Sequence, residues 1–159
     1  MRYVDVRRHV DAPADDVWVF LADQARWPEW SGFDSVEVLR SSERAALRLI
    51  TSGEARVREL IRLDARGRRF AYRHLEGLPV RYYAGDVTLR PNANGTTIVW
   101  CAQIEPLYLG TAAIVDVLRR VIEEATDGLA GTADTHWRKT GFSARCAPQM
   151  TAADSHTGP

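Results

Sequence analysis

The sequence predicts an α+β domain in which a curved antiparallel sheet of seven strands wraps around one long C-terminal helix. Two observations carry this. Between residues 33 and 105 apolar and polar residues alternate in short runs broken by Gly, Asn and Pro, and from about 108 the apolar period lengthens to that of a helix. Sequential hairpins make the sheet antiparallel. At 159 residues the chain suffices for one domain, which would bury about 70% of the surface its unfolded chain exposes.

The first strand is residues 2 to 11, where Val4, Val6 and Val10 alternate with Tyr3, Asp5, Arg7 and His9. Asp11-Ala12-Pro13 then offers a capping carboxylate and an early proline, followed by Val17, Trp18, Phe20 and Leu21 at helical spacing, so a short helix is expected from about 13 to 22. Residues 25 to 32, which include Trp27-Pro28-Glu29-Trp30, read as an aromatic loop because proline disfavours helix at the residue before it. Six strands follow, at about 34–40, 45–51, 54–64, 68–75, 80–91 and 96–105, with turns at Arg66-Gly67, Glu76 to Pro79 and Pro91 to Gly95. The final helix, about 108–138, carries an apolar stripe of Ile114, Leu118, Ile122, Ala125, Leu129 and Ala133. Gly128 and Gly131 inside it mark a kink or a close approach to the sheet. The folded domain is assigned to 1–142, and 143–159, poor in large apolar residues, to a disordered tail.

Composition narrows the function. The chain is 45% hydrophobic and 26% charged, with 21 basic and 21 acidic residues, so no global positive field favours nucleic acid or an anionic membrane. Cys101 and Cys146 lack metal-ligand spacing and read as reduced thiols. With no export segment and no long apolar stretch, a cytoplasmic protein without a stable membrane anchor is expected. No phosphate loop, zinc-binding helix or nucleophile elbow is found, and no cofactor or metal is assigned.

Turn geometry fixes which residues share a face. With Arg66-Gly67 as a two-residue loop, Glu59 lies opposite His74, Ile61 opposite Tyr72 and Leu63 opposite Phe70, all on one face with Ala55 and Val57. If Leu75 pairs with Val80, then His74 faces Arg81, Tyr72 faces Tyr83, and Val87 and Leu89 point the same way. The Asn94-Gly95 turn adds Ile98, Trp100, Ala102 and Ile104 to that inner face.

Asp11-Ala12-Pro13-Ala14-Asp15-Asp16-Val17-Trp18, the loop Trp27-Pro28-Glu29-Trp30 and Gly95-Thr96-Thr97-Ile98-Val99-Trp100 resemble the helix-grip fold of the START and Bet v 1-like superfamily, in particular its polyketide cyclase/dehydrase branch, over about residues 2 to 140. The resemblance implies an internal cavity between sheet and last helix that takes a lipid, polyketide or other apolar metabolite. It implies either a cofactor-free cyclase, aromatase or dehydratase, or a non-catalytic carrier or sensor, acting as a monomer or homodimer; a member acting on a macromolecule would show a large exposed apolar patch.

On this reading Glu59, His74 and Arg81 meet in the cavity for acid-base work on a poly-β-ketone, or else form a solvated ion-pair cluster at the open end of the strands. Trp27 and Trp30 either lid the cavity or plug the core. Tyr72 and Tyr83 either present hydroxyls to the ligand or simply pack, while Trp100, Leu118 and Ile122 line the wall. Asp15 and Asp16 complement the helix dipole, and His9 and His136 are lone surface histidines.

Overall fold

The computed structural model describes residues 1–108 and 113–145, with side chains up to 141. The chain runs β1 (Arg2–Val10), α1 (Ala14–Ala22), a 3₁₀ turn (Gln24–Arg26), α2 (Trp27–Trp30), β2 (Ser35–Ser41), β3 (Ala45–Ser52), β4 (Ala55–Asp64), β5 (Arg69–Glu76), β6 (Val80–Asn92), β7 (Gly95–Pro106) and α3 (Ala113–Arg145). The seven strands form one antiparallel sheet in the order β1-β7-β6-β5-β4-β3-β2. Its inner face and α3 enclose an apolar core that includes Val4, Ile61, Phe70, Val87, Ile98, Ile122, Leu129 and Ala133.

The ends of the last helix differ from expectation. Leu107 and Tyr108 form a bend rather than the first helical turn, and α3 continues to Arg145, through the first three residues assigned to the tail. The remainder of that tail, with Cys146 and His156, lies outside the described residues. Gly128 is a close approach, though to α2 rather than the sheet: a Cβ there would sit 1.9 Å from the Trp30 carbonyl oxygen, whereas Gly131 faces open space.

The expected 25–32 loop is instead a 3₁₀ turn followed by one turn of helix. Pro28 falls within the first turn of α2, where its missing N–H removes no helical bond. Nor does Asp11 cap α1, whose N-cap is Pro13. The Asp134 carboxylate of α3 accepts from the backbone N–H of Asp11 and Ala12 instead, tying the β1–α1 corner to the long helix.

The Arg66-Gly67 hairpin has the expected register, with Glu59 opposite His74, Ile61 opposite Tyr72 and Leu63 opposite Phe70. The next hairpin is slipped by two residues: Tyr72 pairs with Gly85 rather than Tyr83, and Phe70 with Val87. An even slip leaves every side chain on its expected face while changing its partners. Gly85 makes this pairing possible, since a Cβ on it would lie 2.5 Å from the Tyr72 hydroxyl. A bulge between Val80 and Tyr82 then breaks the alternation in β6, so that Val80 and Tyr83 are both buried and Arg81 is turned outward.

Candidate functional site

The polar groups that the sheet brings inside are not the expected trio. Arg48 of β3 lies opposite Glu59 of β4, and both are almost fully buried. The Arg48 Nε and Nη2 donate to Glu59 Oε2 at 3.0 and 2.8 Å, and its Nη1 donates to Gln24 Oε1 at 2.8 Å. The guanidinium also sits 4.0 Å over the Trp27 ring and 5.1 Å from Phe70. A planar cation suits this place, because it can stack on aromatic faces and form two bonds to one carboxylate at once. Gln24 Nε2 is buried with no partner among the described residues.

His74 lies beside this pair in the register but is committed elsewhere. Its Nε2 accepts the Leu78 N–H at 3.2 Å, closing the 77–79 turn. Burial lowers its pKa below the ordinary value of 6.5, only partly opposed by the Glu59 carboxylate. Because the folded value lies below the unfolded one, the unfolded chain binds the extra proton first on acidification. The stability that neutral His74 contributes is therefore complete above about pH 6.5 and lost as pH falls through the folded value. An NMR titration of this imidazole should give a midpoint below 6.5; a midpoint above it would show that the turn bond is not kept in solution.

Arg81 does not join Glu59 and His74. Its side chain is 66% exposed on the outer side and pairs with Glu105 at 3.5 Å. Such a surface pair contributes little, so Arg81→Ala should change stability by less than about 0.5 kcal/mol and leave ligand binding unaltered. Loss of binding in a thermal-shift titration of that variant would return Arg81 to the site.

Above the ion pair runs a second buried array. Trp100 Nε1 donates to the Tyr72 hydroxyl at 3.0 Å, and the Tyr72 and Tyr83 hydroxyls are 2.9 Å apart. The two phenol rings meet edge to face, 5.3 Å between centroids, as diagonal neighbours across β5 and β6. Burial pushes both phenols well above the usual tyrosine range, so they remain protonated and act as neutral donors.

Trp27 and Trp30 lie in the core rather than over a cavity mouth. Trp27 Nε1 donates to the Leu21 carbonyl at 2.9 Å and Trp30 Nε1 to the Phe20 carbonyl at 3.2 Å, satisfying acceptors that the end of α1 would leave unpaired. Leu118 and Ile122 are buried on the inward side of α3. His136 is not isolated, since its ring packs edge-on against Phe20, and His9 lies 3.4 Å from Asp11. Cys101 is a partly exposed free thiol on the outer face, held protonated by burial.

The interior is sealed unevenly. Ile61, Phe70, Val87, Ile98 and Ile122 are at 0%, whereas Val57, Val80 and Val115 keep 8% and Val6, Ala14, Trp30, Tyr83 and Leu118 keep 5% of their surface accessible. Val115 and Leu118 lie in the first two turns of α3, and Val80 and Tyr83 lie at the start of β6, directly after the 77–79 turn. Leu107 N–H donates to the Pro79 carbonyl there, at 3.1 Å, and holds the end of β7 against that turn. The concavities found are on the outside, one of about 500 Å³ lying over the outer faces of β1 and β5–β7 between Tyr3, Asp5, Tyr82, Ala84 and Cys101. Among the described residues no helix is long and apolar enough to cross a membrane.

Arg48 and Gln24 were not singled out from the sequence. The signal for Arg48 was its even position in β3, in phase with the inward Ala46 and Ile50, together with a Gly53 turn that places it opposite Glu59.

The fold has well-defined counterparts. The Zhui aromatase/cyclase from Streptomyces sp. R1128 superposes with a TM-score of 0.78 at 22% identity, covering 88% of this chain and 98% of that one. The di-domain aromatase/cyclase StfQ of the steffimycin biosynthetic pathway gives 0.65 at 21% identity, over 88% of this chain and 46% of that one. A point mutant of norcoclaurine synthase from Thalictrum flavum gives 0.68 at 18%, over 85% and 95%. At these identities the likeness speaks for the fold. No curated protein matches the chain. A family model described as polyketide cyclase / dehydrase and lipid transport matches residues 1–134, and the chain belongs to that family.

Proposed function

We propose that the chain binds one small, largely apolar molecule between the concave face of the sheet and the first turns of α3, with access beside the 77–79 turn. The observation that carries this reading is the pair of buried polar arrays, Arg48–Glu59 and Trp100–Tyr72–Tyr83, set in an otherwise apolar inner face. Buried ionic and phenolic groups cost desolvation and are weak stabilisers compared with apolar residues of the same size. Their retention in the core supports a binding role.

Of the two roles such a site can serve, the geometry favours holding a ligand over turning it over. The His74 lone pair is taken by Leu78, one Glu59 oxygen is taken twice by Arg48, and Arg81 is outside. A cyclase or dehydratase role, in keeping with the family's name, would rest on the buried phenols as acids and on Glu59 or His74 released from its present bond. The exposed large apolar residues Met1, Tyr3, Val19, Val38, Leu39, Leu75, Tyr108 and Val117 are spread over five elements and the segments before β1 and after β7, which lends no support to a macromolecular substrate.

The test is native mass spectrometry of the purified protein, followed by denaturing extraction and, for any empty fraction, thermal-shift titration with a panel of apolar metabolites. One equivalent of an apolar compound, carried or taken up with a raised Tm, is the expected result. A protein that neither carries nor takes up any of them overturns the reading. Conversion of a bound ketide during incubation would select the enzyme over the carrier.

A further inference from the structure

A hollow of about 380 Å³ lies on the outside of the molecule where α1 and α2 meet α3; α1 gives it Phe20, the 3₁₀ turn Arg26 and α2 Glu29, and α3 gives it Gly131, Thr132, Thr135, His136 and Lys139. It is separate from the interior. Gly131, Thr135, His136 and Lys139 are on the exposed side of α3, whereas Leu129 and Ala133 belong to the core.

Gly131 is the first indication of a ligand. A glycine inside a helix costs about 1 kcal/mol relative to alanine, and at Gly128 the close approach of α2 explains it. At Gly131 nothing lies within 4 Å of the position a Cβ would take, so no contact within the described chain requires the missing side chain. What its absence provides is room for an incoming group to reach the surface of α3.

The donors are the second indication. A threonine inside a helix can return its hydroxyl to the carbonyl one turn back; Thr126 and Thr140 do so, to Ile122 and His136 at 2.6 and 3.2 Å. Thr132 and Thr135, which line the hollow, make no such bond among the described residues. Arg26 and His136 are placed by packing on one ring: the guanidinium sits 4.8 Å over Phe20, and the imidazole meets the same ring edge-on at 5.4 Å. Neither contact engages an N–H in a hydrogen bond. Lys139 brings an ammonium about two turns beyond Gly131. Against these donors stands one carboxylate, Glu29.

Guanidinium, ammonium, imidazole and two hydroxyls form a donor set for an oxyanion. They approach from three elements, which suits the three tetrahedrally disposed oxygens of a phosphate better than the two coplanar oxygens of a carboxylate. We propose that this hollow is a second ligand site, independent of the interior one, and that it takes the phosphate group of a phosphate monoester.

Backbone-amide NMR of the full chain, titrated near neutral pH with phenyl phosphate and with benzoate, tests this. Phenyl phosphate should shift the amides of Gly131, Thr132 and Thr135 and bind more tightly than benzoate. Arg26→Gln should weaken it about three- to fivefold, and Glu29→Gln should tighten it by about the same factor; a purely structural role for these residues would not give opposite responses. Gly131→Leu should abolish binding while Tm is kept or raised, because leucine is favoured over glycine in a helix. The last two variants leave the Arg26–Phe20 packing untouched, so the outcome does not hinge on how well Arg26→Gln folds. Vesicles of phosphatidylcholine with and without phosphatidic acid separate the sources of the group. Cosedimentation that needs phosphatidic acid and is lost in Arg26→Gln assigns the site to a lipid headgroup; binding of phenyl phosphate without cosedimentation assigns it to a soluble metabolite. Unmoved α3 amides, equal affinity for benzoate, binding that survives Gly131→Leu, or shifts centred on the exposed arginines of β4 and β5 would each overturn the proposal.

Discussion

Glu59→Ala is expected to destabilise the domain by about 3–5 kcal/mol, the largest loss foreseen for a single side chain. The reason lies less in the lost attraction than in what remains. Arg48 is 2% exposed and rests on the Trp27 ring; without the carboxylate its charge keeps only the Gln24 carbonyl as an oxygen partner among the described residues. Water cannot reach it without opening the core. Replacing both members, as Arg48→Met with Glu59→Leu, removes the uncompensated charge along with the pair and should cost clearly less than Glu59→Ala alone. Urea unfolding of the two variants decides the matter. A cost under about 1 kcal/mol for Glu59→Ala would mean that the pair is solvated like a surface bridge.

The second large effect concerns backbone packing and comes with an internal control. Gly128→Ala should lose at least about 2 kcal/mol even though alanine is favoured over glycine within a helix by about 1 kcal/mol. The added methyl would lie 1.9 Å from the Trp30 carbonyl oxygen, and α2 cannot retreat without disturbing Trp27 and Trp30, whose indoles bond to the carbonyls of α1. Gly131→Ala, one turn further along the same helix, meets nothing within 4 Å and should instead gain up to about 1 kcal/mol. For a domain of this size each kcal/mol moves Tm by about 2–4 °C, so thermal melts of the two variants should shift in opposite directions. Shifts of the same sign would refute the close α2–α3 contact.

These expectations also bear on function. The Arg48–Glu59 pair and the α2–α3 contact hold the concave face and the long helix in place, and the Trp100–Tyr72–Tyr83 array depends on both surfaces staying put. A variant that loosens either is expected to lose binding along with stability.

The amino-acid sequence by itself determined the strands, the hairpins and the inner face. A period of two assigns sides without reference to any partner, and a two-residue turn at Arg66-Gly67 leaves one register, which placed Glu59 against His74. It could not determine who meets whom beyond that. The 77–79 turn admits registers two residues apart with identical faces, so Tyr72 was matched to Tyr83 when its backbone partner is Gly85. The bulge that expels Arg81 leaves no local mark, because an extra residue is defined only against the neighbouring strand β7. Trp27 and Trp30 carry equal apolar area whether they lid a cavity or fill a core; the unpaired carbonyls at the end of α1, within reach only once the chain has folded back, decided for the core. The inward Arg48 became a site residue for the same reason. Its alternation was legible, but the buried carboxylate that makes such a charge tolerable belongs to another strand, and only the tertiary structure brings the two together.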